Sequence, residues 1–203
     1  MPQQVKKYRV NEIFYSLQGE GARTGSANVF VRFAGCNLAC NVEEHGFDCD
    51  TNFSGGLDYT ADVLVDAIKH ADKYNCKSII WTGGEPSLQL TSELLQALPE
   101  YYHCVETNGT KQLPSEVNWI SCSPKSAEHT LRVGDVDELR YVIAPNMAIP
   151  KPKLKADHHY LSPAFEPSET LTAEAFKWVN KLCKEHPKWK MSLQTHKLMI
   201  KQR

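Results

Sequence analysis

Three cysteines, Cys36, Cys40 and Cys49, crowd into one short stretch, while Cys76, Cys104, Cys122 and Cys183 are scattered. Any fold this chain adopts has to bring those three thiols to one loop. The total of seven is odd and unevenly spaced. The cluster therefore reads as metal-binding or catalytic rather than as a disulfide framework. The start, Met1-Pro2-Gln3-Gln4-Val5-Lys6-Lys7, lacks the apolar stretch of a secretory signal, so a cytoplasmic location is expected.

The spacing Cys36-x3-Cys40-x8-Cys49 leaves two metal readings open. Three thiolates with no fourth protein ligand suit an iron–sulfur cluster that keeps one iron open. With His45 counted, the pattern becomes Cys-x3-Cys-x4-His-x3-Cys, which looks like a closed structural zinc site. It also resembles a retroviral-type zinc knuckle, with both outer gaps off by one residue. Such a knuckle wants basic and aromatic neighbours, whereas this loop carries Glu43, Glu44 and Asp48. Cysteines that merely pack are a third reading.

Short apolar segments alternate with helical ones in the first half. Val29–Phe33 reads as a strand running into Gly35. From Thr60 to Asn75 the chain reads as a helix, with Thr60 as N-cap and Val63, Leu64, Ala67, Ile68 and Ala71 at helical spacing. Lys77–Trp81 is a buried strand stopping at Gly83-Gly84, and Ser87–Leu98 is a second helix closed by Pro99. His103–Glu106, Val117–Ser121, Glu138–Ile143, His159–Leu161 and Met191–Gln194 are further strands, and Thr172–Glu185 is a third helix.

That alternation predicts an α/β fold with a parallel sheet covered by helices. A complete eight-unit barrel takes about 250 residues, and the chain has 203. The expectation is an incomplete TIM-like α/β barrel in a single domain over 1–203, with an extended cysteine loop at about 36–56. In such sheets the chemistry gathers at the C-terminal ends of the strands. Polar motifs follow Phe33, Trp81, Val105, Ser121 and Leu193.

Composition narrows the class. Hydrophobic residues make up 41% and charged residues 23%, which excludes a disordered or coiled-coil chain. Lys+Arg number 23 against 24 Asp+Glu, a net charge of −1, which disfavours a basic nucleic-acid module. No apolar run approaches the roughly 20 residues of a membrane span.

The motifs break the tie between iron–sulfur and zinc. Gly35-Cys36-Asn37-Leu38-Ala39-Cys40 resembles the start of the cysteine signature of radical S-adenosylmethionine enzymes. Thr82-Gly83-Gly84-Glu85-Pro86 resembles their glycine-rich motif. Gln18-Gly19-Glu20-Gly21, Phe30-Val31-Arg32-Phe33, Cys49-Asp50-Thr51, Glu106-Thr107-Asn108-Gly109-Thr110, Ser123-Pro124-Lys125 and Gln194-Thr195-His196-Lys197 extend the match almost end to end. Together they resemble the 7-carboxy-7-deazaguanine synthase family of queuosine biosynthesis. One departure stands out. The superfamily's common spacing is Cys-x3-Cys-x2-Cys, but position 43 is Glu43 and the next cysteine, Cys49, carries the expected Asp50-Thr51. The loop is then about six residues longer, near Val42–Phe47.

The resemblance implies a [4Fe–4S] cluster on Cys36, Cys40 and Cys49, with S-adenosylmethionine on its open iron. Gly83, Gly84 and Glu85 would hold the methionine end of that cofactor, with Ser123 and Lys125 along its ribose and carboxylate side. The implied substrate is 6-carboxy-5,6,7,8-tetrahydropterin. A 5′-deoxyadenosyl radical would take hydrogen from C6, the ring would contract, and ammonia would leave to give 7-carboxy-7-deazaguanine.

Arg32 would take the substrate carboxylate, since a guanidinium matches it bidentately. Gln18, Glu20, Glu106 and Gln194 would read the pterin edge, His196 would bind substrate as well, and with His196 and Lys197 near the chain end the last strand would close the pocket. Thr51 would contact a magnesium ion through a hard hydroxyl oxygen. A homodimer and a flavodoxin or ferredoxin electron donor are also implied. His45, His70 and His129 read as surface residues.

Two other classes compete: a radical activase acting on a partner protein, and a zinc-stabilised binding module on Cys36, Cys40, His45 and Cys49. The module leaves the Thr82–Pro86, Glu106–Thr110 and Gln194–Lys197 motifs unexplained. Iron–sulfur absorbance after anaerobic reconstitution would separate it from the enzyme. Against the activase, Gln18–Gly21 and Arg32 point to a small anionic substrate.

Overall fold

A computed structural model describes residues 5–38, 40–49, 51–164 and 169–199. The chain enters as strand β1 (Tyr8–Leu17), passes a short 3-10 turn and returns antiparallel as β2 (Ala27–Phe33). The cysteine loop follows and contains helix α1 (Val42–His45), then β3 (Leu57–Tyr59), which pairs antiparallel with β1. Helix α2 (Ala61–Ala71), β4 (Ser78–Gly83), α3 (Ser92–Gln96), β5 (Tyr102–Thr107), β6 (Trp119–Cys122) and β7 (Val136–Ile143) come next. The chain continues through β8 (Ala156–Pro163), α4 (Glu169–Glu185), β9 (Lys190–Met191) and α5 (Thr195–Met199).

All nine strands form one sheet in the order β3-β1-β2-β4-β5-β6-β7-β8-β9. From β2 to β9 every neighbour pair is parallel. The expected parallel sheet thus carries an antiparallel edge, β1 and β3, which the sequence reading did not place. Among the described residues the first and last strands of the order do not pair, so the barrel is incomplete.

Strand alternation sorts the two faces. Val29, Val31, Phe33, Ile79, Trp81 and Val105 point outward into a core with Leu64 and Ile68 of α2 and Leu94 and Leu95 of α3. The inner face has layers. Phe30, Ile80, Cys104 and Trp119 are paired in register and form an apolar floor with Phe14. Two residues on lies a polar row: Arg32 beside Thr82, and Glu106 beside Ser121, which pairs with Glu138. That row lines the interior of the barrel. Arg32 therefore sits on an inward face, although its strand otherwise reads apolar.

Local differences from the sequence reading have local causes. Helix α2 stops at Ala71 rather than Asn75. The Asp72 carboxylate accepts the Cys76 N–H at 2.8 Å and the Lys77 N–H at 3.3 Å, turning the chain through positive-φ Asn75 and Lys77. Leu64 and Ile68 are buried as expected, but Val63 faces solvent. The second helix is broken into a 3-10 turn at Pro86–Leu88 and α3, because the Glu85 carboxylate captures the Ser87 N–H and the Thr91 hydroxyl starts a new helix at the Leu94 N–H. The last strand is only Lys190–Met191 rather than Met191–Gln194, and His196 and Lys197 lie on α5. Among the described residues no helix is long and apolar enough to cross a membrane.

Candidate active site

The Gln18–Gly21 loop explains how the site is built. The Gln18 side-chain oxygen accepts the Gly19 N–H at 2.7 Å and the Glu20 N–H at 3.2 Å, folding the loop on itself. Its Nε2 then donates to Glu106 Oε1 at 2.8 Å. The His196 ring packs directly on Gly19, and the N–H and hydroxyl of Thr195 both donate to the Gly19 carbonyl, at 2.9 and 3.1 Å. The Ser192 hydroxyl accepts the Gly21 N–H at 2.9 Å. The loop after β1 is thereby tied to the segment after β9, across the side the sheet leaves open.

The polar row carries a shared charge cluster. Arg140 Nη2 lies 3.2 Å from Glu20 Oε2 and 3.3 Å from Glu106 Oε1, and Nη1 lies 3.3 Å from Glu138 Oε1. Glu138 also accepts the Ser121 hydroxyl at 3.0 Å and the Ala22 N–H at 2.8 Å. Burial pushes the Glu106 carboxyl upward. Arg140 and the Gln18 and Thr82 donors outweigh it and hold the group below the ordinary glutamate range.

The cysteines face a neighbouring cavity of about 200 Å³, with Cys36, Cys40 and Cys49 on its wall beside Gly83 and Gly84. A Cβ on Gly84 would stand 1.9 Å from the Gly35 carbonyl oxygen, and the Glu85 N–H donates to that same carbonyl at 2.9 Å. Only a glycine lets the loops after β2 and β4 cross this closely. Ser123 and Lys125 line the same cavity, and the Lys125 ammonium curls back onto the carbonyl and hydroxyl of Ser123. Burial, and Arg140 after it, push the Lys125 ammonium below its usual value.

A second cavity, of about 460 Å³, is walled by Glu12, Phe14, Arg32, His196 and Lys197. The two cavities share Glu20, Thr51, Thr82, Glu106 and Gln194. The structure therefore brings Gln18, Glu20, Arg32, Glu106, Gln194 and His196 around one space and the three cysteines, Gly83, Gly84, Ser123 and Lys125 around the next, with Thr51 on both. Arg32 Nε is paired with Glu12 Oε2 at 3.3 Å. Ala39 and Asp50 lie outside the described residues.

Glu85 is placed differently from the expectation. It is fully buried, Oε1 accepts from the Thr107 hydroxyl at 2.7 Å and from Ser87, and Oε2 accepts the Asn108 N–H at 2.7 Å. Its carboxylate braces the loops behind the glycines instead of facing the cavity.

The residues fit an iron–sulfur cluster better than a zinc ion. The three thiols share a cavity wall, yet among the described residues no three His, Cys, Asp or Glu side chains gather around a single metal position. A cluster bridged by its own sulfides needs thiols facing a common void rather than meeting at a point. His45 Nδ1 accepts the Asn41 N–H at 3.4 Å, closing α1 on itself. Burial pushes the Cys36 and Cys40 thiols upward, so loading the site must release protons.

The long loop is anchored rather than loose. Asn41 caps α1 through the Glu44 N–H, Gly46 ends it in a left-handed turn, and Asp48 accepts the Val42 N–H at 3.1 Å. Phe47 is buried against Ala144, Ala164 and Ala175, with the Lys125 ammonium 5.8 Å from its ring centre. Sequence reasoning missed Phe47, Arg140, Glu138 and Ser162. The Ser162 hydroxyl is buried on the cysteine-cavity wall with no partner among the described residues. For Arg140 and Glu138 a signal existed, charged residues two apart, and so on one face, in the strand Val136–Ile143.

Comparison with known proteins agrees with this architecture. A family described as "4Fe-4S single cluster domain" matches residues 17–130. The chain is 40% identical to the 7-carboxy-7-deazaguanine synthase of Bacteroides thetaiotaomicron over 193 residues, covering 94% of this chain and 97% of that protein. It is 38% identical to the enzyme of the same name from Burkholderia multivorans, covering 95% and 98%. The crystal structure of QueE from Escherichia coli superposes with a TM-score of 0.67 at 22% identity, covering 94% and 95% of the two chains, and shares the fold. A charge-lined pocket abutting a three-cysteine cavity, on a chain this similar to those synthases along nearly its whole length, places the protein in the 7-carboxy-7-deazaguanine synthase family.

Proposed function

We propose that this chain converts 6-carboxy-5,6,7,8-tetrahydropterin to 7-carboxy-7-deazaguanine and ammonia, a step toward 7-deazapurine and queuosine in modified tRNA. The observation that carries the reading is the contiguity of the two cavities through Glu20, Thr51, Thr82, Glu106 and Gln194. A cofactor held on the cysteine side then faces a substrate held on the carboxylate side. The conversion balances without an external oxidant, since the ring nitrogen lost leaves as ammonia.

When bound on Cys36, Cys40 and Cys49, the [4Fe–4S] cluster with S-adenosylmethionine supplies a carbon radical that takes hydrogen. The chain's own residues position and enclose. Gly83 and Gly84 let the backbone approach the methionine end, with Ser123 and Lys125 along the cofactor's other side. Glu85 supports that cradle from behind. Gln18, Glu20, Glu106 and Gln194 offer acceptors and donors to the aminopyrimidine edge. Arg32 takes the substrate carboxylate by exchanging its bond to Glu12. His196 closes the pocket from α5, and the Thr51 hydroxyl contacts a magnesium ion that helps hold the substrate. The same reading takes 1–203 as a single domain, working in the cytoplasm as a homodimer and drawing electrons from a flavodoxin or ferredoxin.

Substrate carrying deuterium at C6 tests the chemistry. Deuterium appearing in 5′-deoxyadenosine or in recovered S-adenosylmethionine is the expected result. Cofactor cleavage without deuterium transfer would overturn the substrate assignment.

A further inference from the structure

Arg140 belongs to none of the motifs that carry the family resemblance, yet it is the hub of the site. Its side chain is 7% exposed and its two terminal nitrogens serve three carboxylates, Glu20, Glu106 and Glu138. One guanidinium is thus shared among three carboxylates, with Arg23 lining the small pocket beside Glu20, Glu106 and Glu138 and Lys125 on the cysteine-cavity wall.

The unsatisfied capacity lies on the cavity side. A carboxylate offers about four lone-pair sites. Glu138 is 2% exposed, and it is bonded by Ser121, Ala22 and Arg140. Glu106 accepts from Gln18, Thr82 and Arg140. Glu20 is held, among the described residues, by its ion pair to Arg140 at 3.2 Å. Glu20 and Glu106 both line the two cavities. Their spare acceptor sites call for a ligand edge rich in N–H donors.

We propose that Arg140 is a positioning residue that holds Glu20 and Glu106 jointly aimed at the cavity, so that the pair selects a ligand presenting a row of N–H donors. The ligand's identity rests on the pterin reading given above. Glu138 fixes the guanidinium from behind, itself held by Ser121 and Ala22. The other cations at these carboxylates, among the described residues, are Lys125 on the cysteine-cavity wall and Arg23 in the small pocket shared with Glu20, Glu106 and Glu138. Without Arg140, burial would act on Glu106 opposed only by Gln18 and Thr82. A protonated Glu106 would turn a donor toward the ligand's own N–H, and recognition would fail in kind as well as in strength.

The test compares the reconstituted wild-type enzyme with R140M and R140K. It measures KM for 6-carboxytetrahydropterin, affinity for S-adenosylmethionine, and the titration of Glu106 by carbon-13 NMR in protein labelled at glutamate carboxyls. In R140M the substrate KM should rise roughly tenfold or more, the size of a lost charge-assisted hydrogen bond. Glu106 should titrate higher by about one pH unit or more, and substrate binding should fall further than S-adenosylmethionine affinity, although Arg140 also lines the cysteine cavity. R140K should restore the low titration but not the KM, since one ammonium replaces a fork. If R140M fails to fold around the stranded Glu138, the R140M/E138Q double variant removes that charge and carries the same expectations. An unmoved Glu106 titration, or substrate and cofactor binding that fall together, overturns the proposal. A wild-type enzyme that ignores the pterin would overturn the substrate reading instead, and the NMR titration would still decide the role of Arg140.

Discussion

Gly21 and Glu138 meet so closely that a Cβ on the glycine would lie 2.1 Å from the glutamate Oε1. Gly21 also holds a φ of +66°, a left-handed conformation that costs an L-residue roughly 1–2 kcal/mol. The last glycine of the Gln18–Gly21 motif is thus the space in which Glu138 holds Arg140. Gly21→Ala should lower stability by about 1–3 kcal/mol and weaken substrate binding. Urea unfolding checks the first effect, and a midpoint equal to wild type would contradict it.

Gly84→Ala places a Cβ against the backbone oxygen of Gly35, where no side-chain rotation relieves the overlap. The loops after β2 and β4 should part, and S-adenosylmethionine binding by the reconstituted protein should be lost. Gly134→Ala, where a Cβ meets nothing within 4 Å, is the control and should bind normally. Calorimetric titration of both variants reads the difference.

Phe47→Ala removes the side chain that seats the long cysteine loop among Ala144, Ala164 and Ala175. Supporting residues of this kind typically contribute about 10–100-fold in metal affinity. The variant should reconstitute with less iron and lose its cluster faster in air, whereas Phe47→Leu should retain it. Equal iron content in Phe47→Ala and wild type would show that the loop does not position Cys49.

His103 gives the fold an acid-side weakness. It is buried, and it accepts the Trp81 indole N–H at 3.2 Å. Burial lowers its pKa, and the Leu95 and Leu98 carbonyls only partly offset this. The unfolded chain therefore binds the proton more readily than the folded one. This contribution to stability is fully present above the unfolded value of about 6.5 and is lost as pH falls from there through the folded value. Denaturant midpoints measured against pH should fall across that window in wild type and flatten in His103→Gln.

Arg32→Met should raise the substrate KM by about 10–100-fold, the loss of a charge-assisted bond worth roughly 1.5–3 kcal/mol. S-adenosylmethionine binding should be unaffected, because Arg32 lines only the substrate-side cavity of the two. Steady-state kinetics with a cofactor titration checks both halves of the statement.

The sequence was most legible where chemistry demands a residue type at one place in the chain. The cysteines, Gly83-Gly84, the Gln18–Gly21 loop and Glu106 are all such places, and each falls beside one of the two cavities or in their support. What escaped depends on partners distant in sequence. Arg140 matters because β5, β6 and β7 set Glu106, Ser121 and Glu138 side by side, which no local pattern records. Glu85 stands in a binding motif, yet hydrogen bonds from Ser87, Thr107 and Asn108 turn it inward. The β1 strand escaped because it is an antiparallel edge with a mixed burial pattern, unlike the apolar runs of the parallel strands. The break in the second helix follows from Glu85 and Thr91 competing for backbone N–H groups, which apolar spacing does not register.

The proposed function requires the cysteine and carboxylate cavities to act as one active site on a pterin. The most direct measurement is mass spectrometry on the anaerobically reconstituted protein given S-adenosylmethionine, Mg²⁺, a reductant and 6-carboxytetrahydropterin, alongside Cys49→Ala. The wild type should yield 7-carboxy-7-deazaguanine and the variant none. A loaded wild-type protein that releases 5′-deoxyadenosine but no deazaguanine product would contradict the proposed function.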